Sequence, residues 1–163
     1  MGADKLIATA LQCLENRMTY TAEKALNGSK SVCDYLRLQL ADEKHEVFAA
    51  LFLNNHHKLI AFEKMFYGTI NEAVVYPRAV IQKALKHNAA AIIIAHNHPS
   101  GEAKPSGADE RITRELKEVL AIVSVKLLDH IIVTYRETYS FAEHGLVWRY
   151  GILGGYVSAQ KFI

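Results

Sequence analysis

Hydrophobic positions recur along the chain with two different periods, and the changes between them lay out the elements. Residues 5–18 place Leu6, Ile7, Ala10, Leu11 and Leu14 at helical spacing, which predicts an amphipathic first helix. Asn27-Gly28-Ser29 reads as a break, after which Ser29 or Ser31 can cap a second helix running to Leu40. Its apolar stripe is Val32 or Cys33, Leu36 and Leu40. Residues 41–45 are polar and read as a loop. Residues 47–53 are apolar on both alternating faces, as a central buried strand requires. Residues 54–58 are polar and turn the chain into a second strand, 59–67, paired with the first. Residues 68–76 are irregular; Pro77 then suits the first turn of a helix to about Lys86. Val80, Ile81, Ala84 and Leu85 point inward in that reading, and His87-Asn88 ends the helix.

Residues 89–95 form the next buried strand, with histidines at its far end. Residues 106–123 carry Ile112, Leu116, Val119, Leu120 and Val123 as a helical stripe. Residues 125–128, 131–135 and 139–141 read as short closing strands, while 145–163 show glycines and scattered aromatics without a period. Helices alternating with mostly adjacent strands indicate an α/β or α+β domain, a mixed sheet flanked by helices. The expected division is an N-terminal helical segment over 1–40, a main domain over 41–145 and a C-terminal extension over 146–163.

Composition narrows the class. A chain of 163 residues, half apolar and 22% charged, suffices for one domain with a real core. A net charge of +2 lacks the basic excess of most nucleic-acid binders. The cysteines, Cys13 and Cys33, stand alone with no CxxC and no signal peptide ahead of them, which points to a reducing, cytoplasmic compartment. The strongest apolar run, 89–95, is far too short to span a membrane.

The chemistry concentrates in His96-Asn97-His98-Pro99, followed by Ser106 and Asp109. Residues i and i+2 of an extended segment project to one side, so both imidazoles can face one point. Pro99 and Ser100-Gly101 then turn the chain, and Asp109 falls in the first turn of the following helix. Two histidines and a carboxylate make an open set for zinc, with a fourth position left for water. Such a set also occurs in Fe(II) oxygenases. Zinc there lowers the pKa of water from ~15.7 towards ~7. His56-His57 reads as an exposed turn. Cytidine-deaminase chemistry is excluded because no HxE and PCxxC pair exists. His-Asn-His is not the spacing of an HNH nuclease.

His-x-His-Pro, six residues, Ser, two residues and Asp matches the motif of JAB/MPN-type (JAMM) metalloproteases without a gap. The string Ala95-His96-Asn97-His98-Pro99-Ser100-Gly101, with Pro105, resembles the RadC group within them. Gly68-Thr69-Ile70-Asn71, Tyr76-Pro77-Arg78, Asp129-His130-Ile131-Ile132 and Tyr139-Ser140 add to the resemblance, which runs from about Ser31 to Gly145. It implies an MPN/JAB (cytidine-deaminase-like) architecture and a Zn2+-dependent hydrolase cleaving an amide or isopeptide bond in a protein or peptide. It implies His96, His98 and Asp109 as metal ligands and Ser106 as a donor to the developing oxyanion. A hydrolase also needs a base; Glu46, heading the first buried strand, resembles the family glutamate.

Other roles stand beside these. Ser106 and Asp109 also fit a helix capping box, Glu46 a solvated loop, and His130 either a group orienting a ligand or a satisfied core histidine. Arg78 can bind substrate or pair with a carboxylate, and Ser100 can line a pocket or complete a turn. Two further functions come with the resemblance: a DNA-repair-associated protein acting on or near DNA, and a non-catalytic MPN interaction module. Longer RadC members carry a helix-hairpin-helix region, whereas the residues before Ala41 show no paired glycine hairpins. The chain therefore reads as a short form with weak DNA affinity or none. Scaffold modules typically lose metal ligands, and all three are present here.

Overall fold

The computed structural model describes residues 2–17, 25–68 and 74–147. Its elements in chain order are α1 (Ala3–Arg17), α2 (Ala25–Leu40), β1 (Val47–Leu53), β2 (Leu59–Tyr67), α3 (Pro77–Lys86), β3 (Ala91–Asn97), α4 (Gly107–Ile122), β4 (Lys126–Val133) and β5 (Thr138–Ser140). The strands form one sheet in the order β2-β1-β3-β4-β5. Among the described strands only β3 and β4 run parallel, and α4 is the crossover between them. The result is an α+β domain with a mixed sheet between helices.

The two-sided apolar pattern of β1 has a direct cause: helices cover both faces of the sheet. Val47, Ala49, Leu51 and Leu53 of β1 pack with Ile93 and Ala95 of β3 under Val32, Tyr35, Leu36 and Leu40 of α2. Leu11 and Leu14 of α1 lie against that cluster. On the opposite face, Phe48, Ala50 and Phe52 join Ile92 and Ile94 under Val80 and Ala84 of α3 and Leu116 and Leu120 of α4. The second face carries the histidines. Among the described residues, no helix is long and apolar enough to cross a membrane.

Four expectations need correction. Asn27-Gly28-Ser29 lies inside α2 instead of ending before it. A helical glycine costs about 1 kcal/mol against alanine, and the four buried side chains that α2 lays on the sheet outweigh it. The segments 125–128 and 131–135 fuse into the single strand β4, because Asp129 and His130 are fully buried with internal partners. Leu85 of α3 points outward, 55% exposed. The strand at 89–95 also begins later and reaches further, so that His96 and Asn97 belong to β3 itself. Residues 69–71 of the glycine-led segment and 148–163 of the C-terminal extension lie outside the described residues.

Candidate metal centre

The site is assembled where β3 ends and α4 begins. His96 occupies the penultimate position of β3 and is 1% exposed; His98 follows the strand, its amide bonded to Val133 O of β4 (2.9 Å). Gly101 closes the turn after Pro99 with φ +86°, its amide donating to His98 O at 3.0 Å. A Cβ there would sit 2.5 Å from Cε1 of the exposed Tyr135 ring, which would have to swing away, so the left-handed backbone is the stronger reason for glycine.

Ser106 is the N-cap of α4 and forms a capping box with Asp109. Its Oγ accepts from the Asp109 amide (3.1 Å), and Asp109 Oδ2 accepts from the Ser106 amide (2.7 Å) and hydroxyl (2.6 Å). The helix start therefore fixes the carboxylate by one oxygen and turns the other, Oδ1, toward His96 Nε2 at 3.1 Å. As placed, the Ser106 proton is directed to Asp109. Donation to an oxyanion requires the hydroxyl to rotate.

His96, His98 and Asp109 converge so that one ligand atom from each lies within 4.8 Å of the others, a group that could bind a metal. The Nε2 atoms of His96 and His98 are 2.9 Å apart. Their protonation can be traced from two carbonyl oxygens, which only accept. Glu102 O is 2.8 Å from His98 Nδ1, so that nitrogen carries the proton and Nε2 of the neutral ring is bare. The Thr113 hydroxyl donates to Asp109 O (2.5 Å) and hence accepts from His130 Nδ1 (2.6 Å). His130 Nε2 then accepts from His96 Nδ1 (2.8 Å), which leaves His96 Nε2 bare as well. Two lone pairs and a carboxylate oxygen thus face one small volume. Such a set could hold a cation, either a proton or a metal ion.

The electrostatics follow the same logic. With a proton on His96 Nε2 as that cation, burial still works against ionising Asp109, but hydrogen bonding and charge from His96, then the Ser106 hydroxyl and amide, hold it well below the usual carboxylate range. Burial, reinforced by the charge of His96, pushes the His130 pKa well down, so this ring stays neutral as its accepting role requires. Of the two readings left open for His130, the structure shows an orienting contact to His96 in a ring that is also fully buried and stacked on Phe141, 4.7 Å between centroids.

A cleft of about 480 Å³ opens on this group, lined also by Glu46, Phe48, Ser100 and Ser106. Glu46 precedes β1. Phe48 faces His96 across the antiparallel β1–β3 pair, and continuing that register sets Glu46 level with His98. Arg78 is exposed on α3 and does not line the cleft; His56 is exposed in the β1–β2 turn.

Residues 26–146 match the family model described as the RadC-like JAB domain. The chain belongs to this family. It is 51% identical over 142 residues to a UPF0758 protein of Methylibium petroleiphilum, covering 87% of this chain and 63% of that protein. A UPF0758 protein of Stenotrophomonas maltophilia is 55% identical over 121 residues, 74% of this chain and 52% of that protein. One from Vibrio cholerae is 46% identical over 141 residues, 86% and 87% of the two lengths. The chain spans less than two thirds of the length of the first two.

Sequence reasoning missed three supporting side chains of this RadC-like domain. Thr113 looks like an ordinary helix residue until its place between Asp109 and His130 is seen. Asn97, 2% exposed, fastens the loop leading to Glu46: its Oδ1 accepts from Val47 N (2.7 Å), and its Nδ2 donates to His45 O (3.0 Å) and Glu43 O (3.2 Å). Asp129, fully buried, accepts from Ser140 Oγ (2.6 Å) and from the amides of His130 (2.7 Å) and Ala142 (2.9 Å). It thereby holds the turn that presents Phe141 to His130. An Asp or Asn buried among donors and acceptors carries no periodic signal; only its pairing reveals it.

Burial raises the Asp129 pKa from 3.8 to about 6 despite those donors. The folded state then holds this proton more tightly than the unfolded chain. The resulting stabilisation is complete below the unfolded value and is lost as pH rises through about 6. Relative to Asp129→Asn, the native protein should lose on the order of 2 kcal/mol between pH 4 and pH 7. Urea midpoints of both proteins across that range measure it, and parallel curves would show Asp129 ionised throughout.

Proposed function

We propose that this domain is a zinc-dependent hydrolase of amide or isopeptide bonds in a protein or peptide, with His96, His98 and Asp109 as ligands. The observation that carries the reading is the pair of bare Nε2 atoms facing Asp109 Oδ1 at the floor of a cleft. A zinc ion held there supplies Lewis acidity, acidifying water and polarising a carbonyl. Glu46, at the cleft beside His98, is the group to take a proton from water and return it to the leaving amine. The capping box keeps Asp109 aimed, and rotation of the Ser106 hydroxyl offers a donor to the oxyanion. His130 and Thr113 hold His96 in the tautomer that presents Nε2.

The cleft lining favours a peptide over a nucleic acid. Among the described residues no Lys or Arg lines it, whereas recognition of a phosphate backbone relies on such cations. The test is to present zinc-loaded protein, with and without a chelator, to a peptide library and to single- and double-stranded DNA. Amide cleavage that the chelator stops and added zinc restores is the expected result. Zinc-dependent strand cleavage would overturn the choice of bond. Zinc binding with no cleavage of either would favour the interaction-module reading.

A further inference from the structure

The cleft has a second wall with a chemistry of its own. Beside the ligand set, Phe48, Val75 and Ile112 line the cleft, all drawn from one apolar cluster that also takes in residues of α3 and α4. Phe48 is 2% exposed and packs against Phe66 with ring centroids 5.9 Å apart, so this part of the wall is rigid. Val74 extends it to the mouth, 61% exposed, next to the equally exposed Tyr76. The acids of the cleft are Glu46 and Asp109, and no described Lys or Arg lines it. A carboxylate or phosphate bound against the apolar wall would lose water without gaining a cation. A hydrocarbon side chain would lose water to its advantage.

Resting on the hydrolase reading, we propose that the residue adjoining the scissile amide carries an apolar side chain seated against Phe48, Val75 and Ile112. A cavity of about 480 Å³ holds such a side chain together with its flanking backbone. Glycine at that position leaves the wall uncovered, and lysine or aspartate brings charge to it. Apolar burial is then what distinguishes substrates.

Peptidyl hydroxamates test this by binding, without any turnover. Leucine, glycine, lysine or aspartate is placed beside the hydroxamate, once as an N-acetyl amino-acid hydroxamate for the acyl side and once as a succinyl hydroxamate for the leaving side. Affinities are measured by calorimetry on protein whose zinc content has been determined. In at least one orientation the leucine probe should bind about tenfold tighter than the glycine, lysine and aspartate probes. Ile112→Ala should reduce that advantage severalfold, and Val75→Lys, at a half-buried position near the mouth, should move the preference toward aspartate. Circular dichroism verifies that both variants are folded. Equal affinities on zinc-loaded protein, or a preference for the charged probes, would overturn the apolar subsite and leave the metal centre standing. A protein that takes up no zinc would overturn the hydrolase reading and this inference with it.

Discussion

Zinc should fall from one ion per chain to a trace when His98 is replaced by alanine, with the fold retained. The reason is the thinness of the proposed ligand set: three protein donors are the minimum for an open tetrahedral site, and two leave the ion to the solvent. His98 is the informative position because little else depends on it. Its side chain is 18% exposed, and its bond outside the ligand group is Nδ1 to Glu102 O at 2.8 Å. Losing that bond costs about 1 kcal/mol, which a folded domain absorbs. His96→Ala should also lose the ion, but it opens a buried space beside His130 and mixes loss of metal with loss of packing. Elemental analysis after dialysis, alongside His56→Ala as an exposed control, gives the answer. Equal zinc in wild type and His98→Ala would remove the proposed site.

Glu46→Gln should lower turnover of a cleaved substrate by about 10²–10⁴ while leaving zinc content and thermal stability unchanged. The substitution preserves shape and removes only basicity. The backbone role of the residue, accepting from Gly68 N at 2.8 Å, does not involve the side chain. Two other acids near in sequence are committed elsewhere: Glu43 pairs with Lys64 at 2.6 Å, and Glu63 bonds His87 at 2.6 Å and also pairs with Lys83. Neither lines the cleft. Steady-state kinetics on one substrate, paired with metal analysis, separates a chemical defect from a structural one. Full activity would mean that a different group handles the proton.

Much of this architecture is legible in the sequence because burial imposes periodicity. The two-sided apolar run at Val47–Leu53, its partner Leu59–Tyr67 and the Pro77-initiated helix all fall within the bounds the pattern predicts. The motif His-x-His-Pro with Ser106 and Asp109 is legible for a different reason: strand alternation and a capping box fix those positions locally. What pattern reading loses is polarity satisfied from a distance. Asp129-His130 looks like a break in an apolar run, yet Ser140 of β5, Ala142 of the turn after it, Thr113 of α4 and His96 of β3 supply its partners. Asn97 looks like a spacer between two histidines, yet it binds a loop some fifty positions earlier. Leu85 errs the other way, since helical spacing marks it as inward although the neighbouring elements do not reach it.

The chain distances within the site have a kinetic consequence. His96, His98 and Asp109 lie within fourteen consecutive residues, so bringing them together closes a short loop at small entropic cost. Glu46 is fifty positions from His96, and its place depends on β1 docking antiparallel on β3 and on the Asn97 fastening. Contacts of such different range form on different timescales during folding. On the proposed reading, a chain partly unfolded at β1 would keep its local ligand set while losing the placement of Glu46. The proposed hydrolysis would then require the complete sheet, whereas binding of the ion would not.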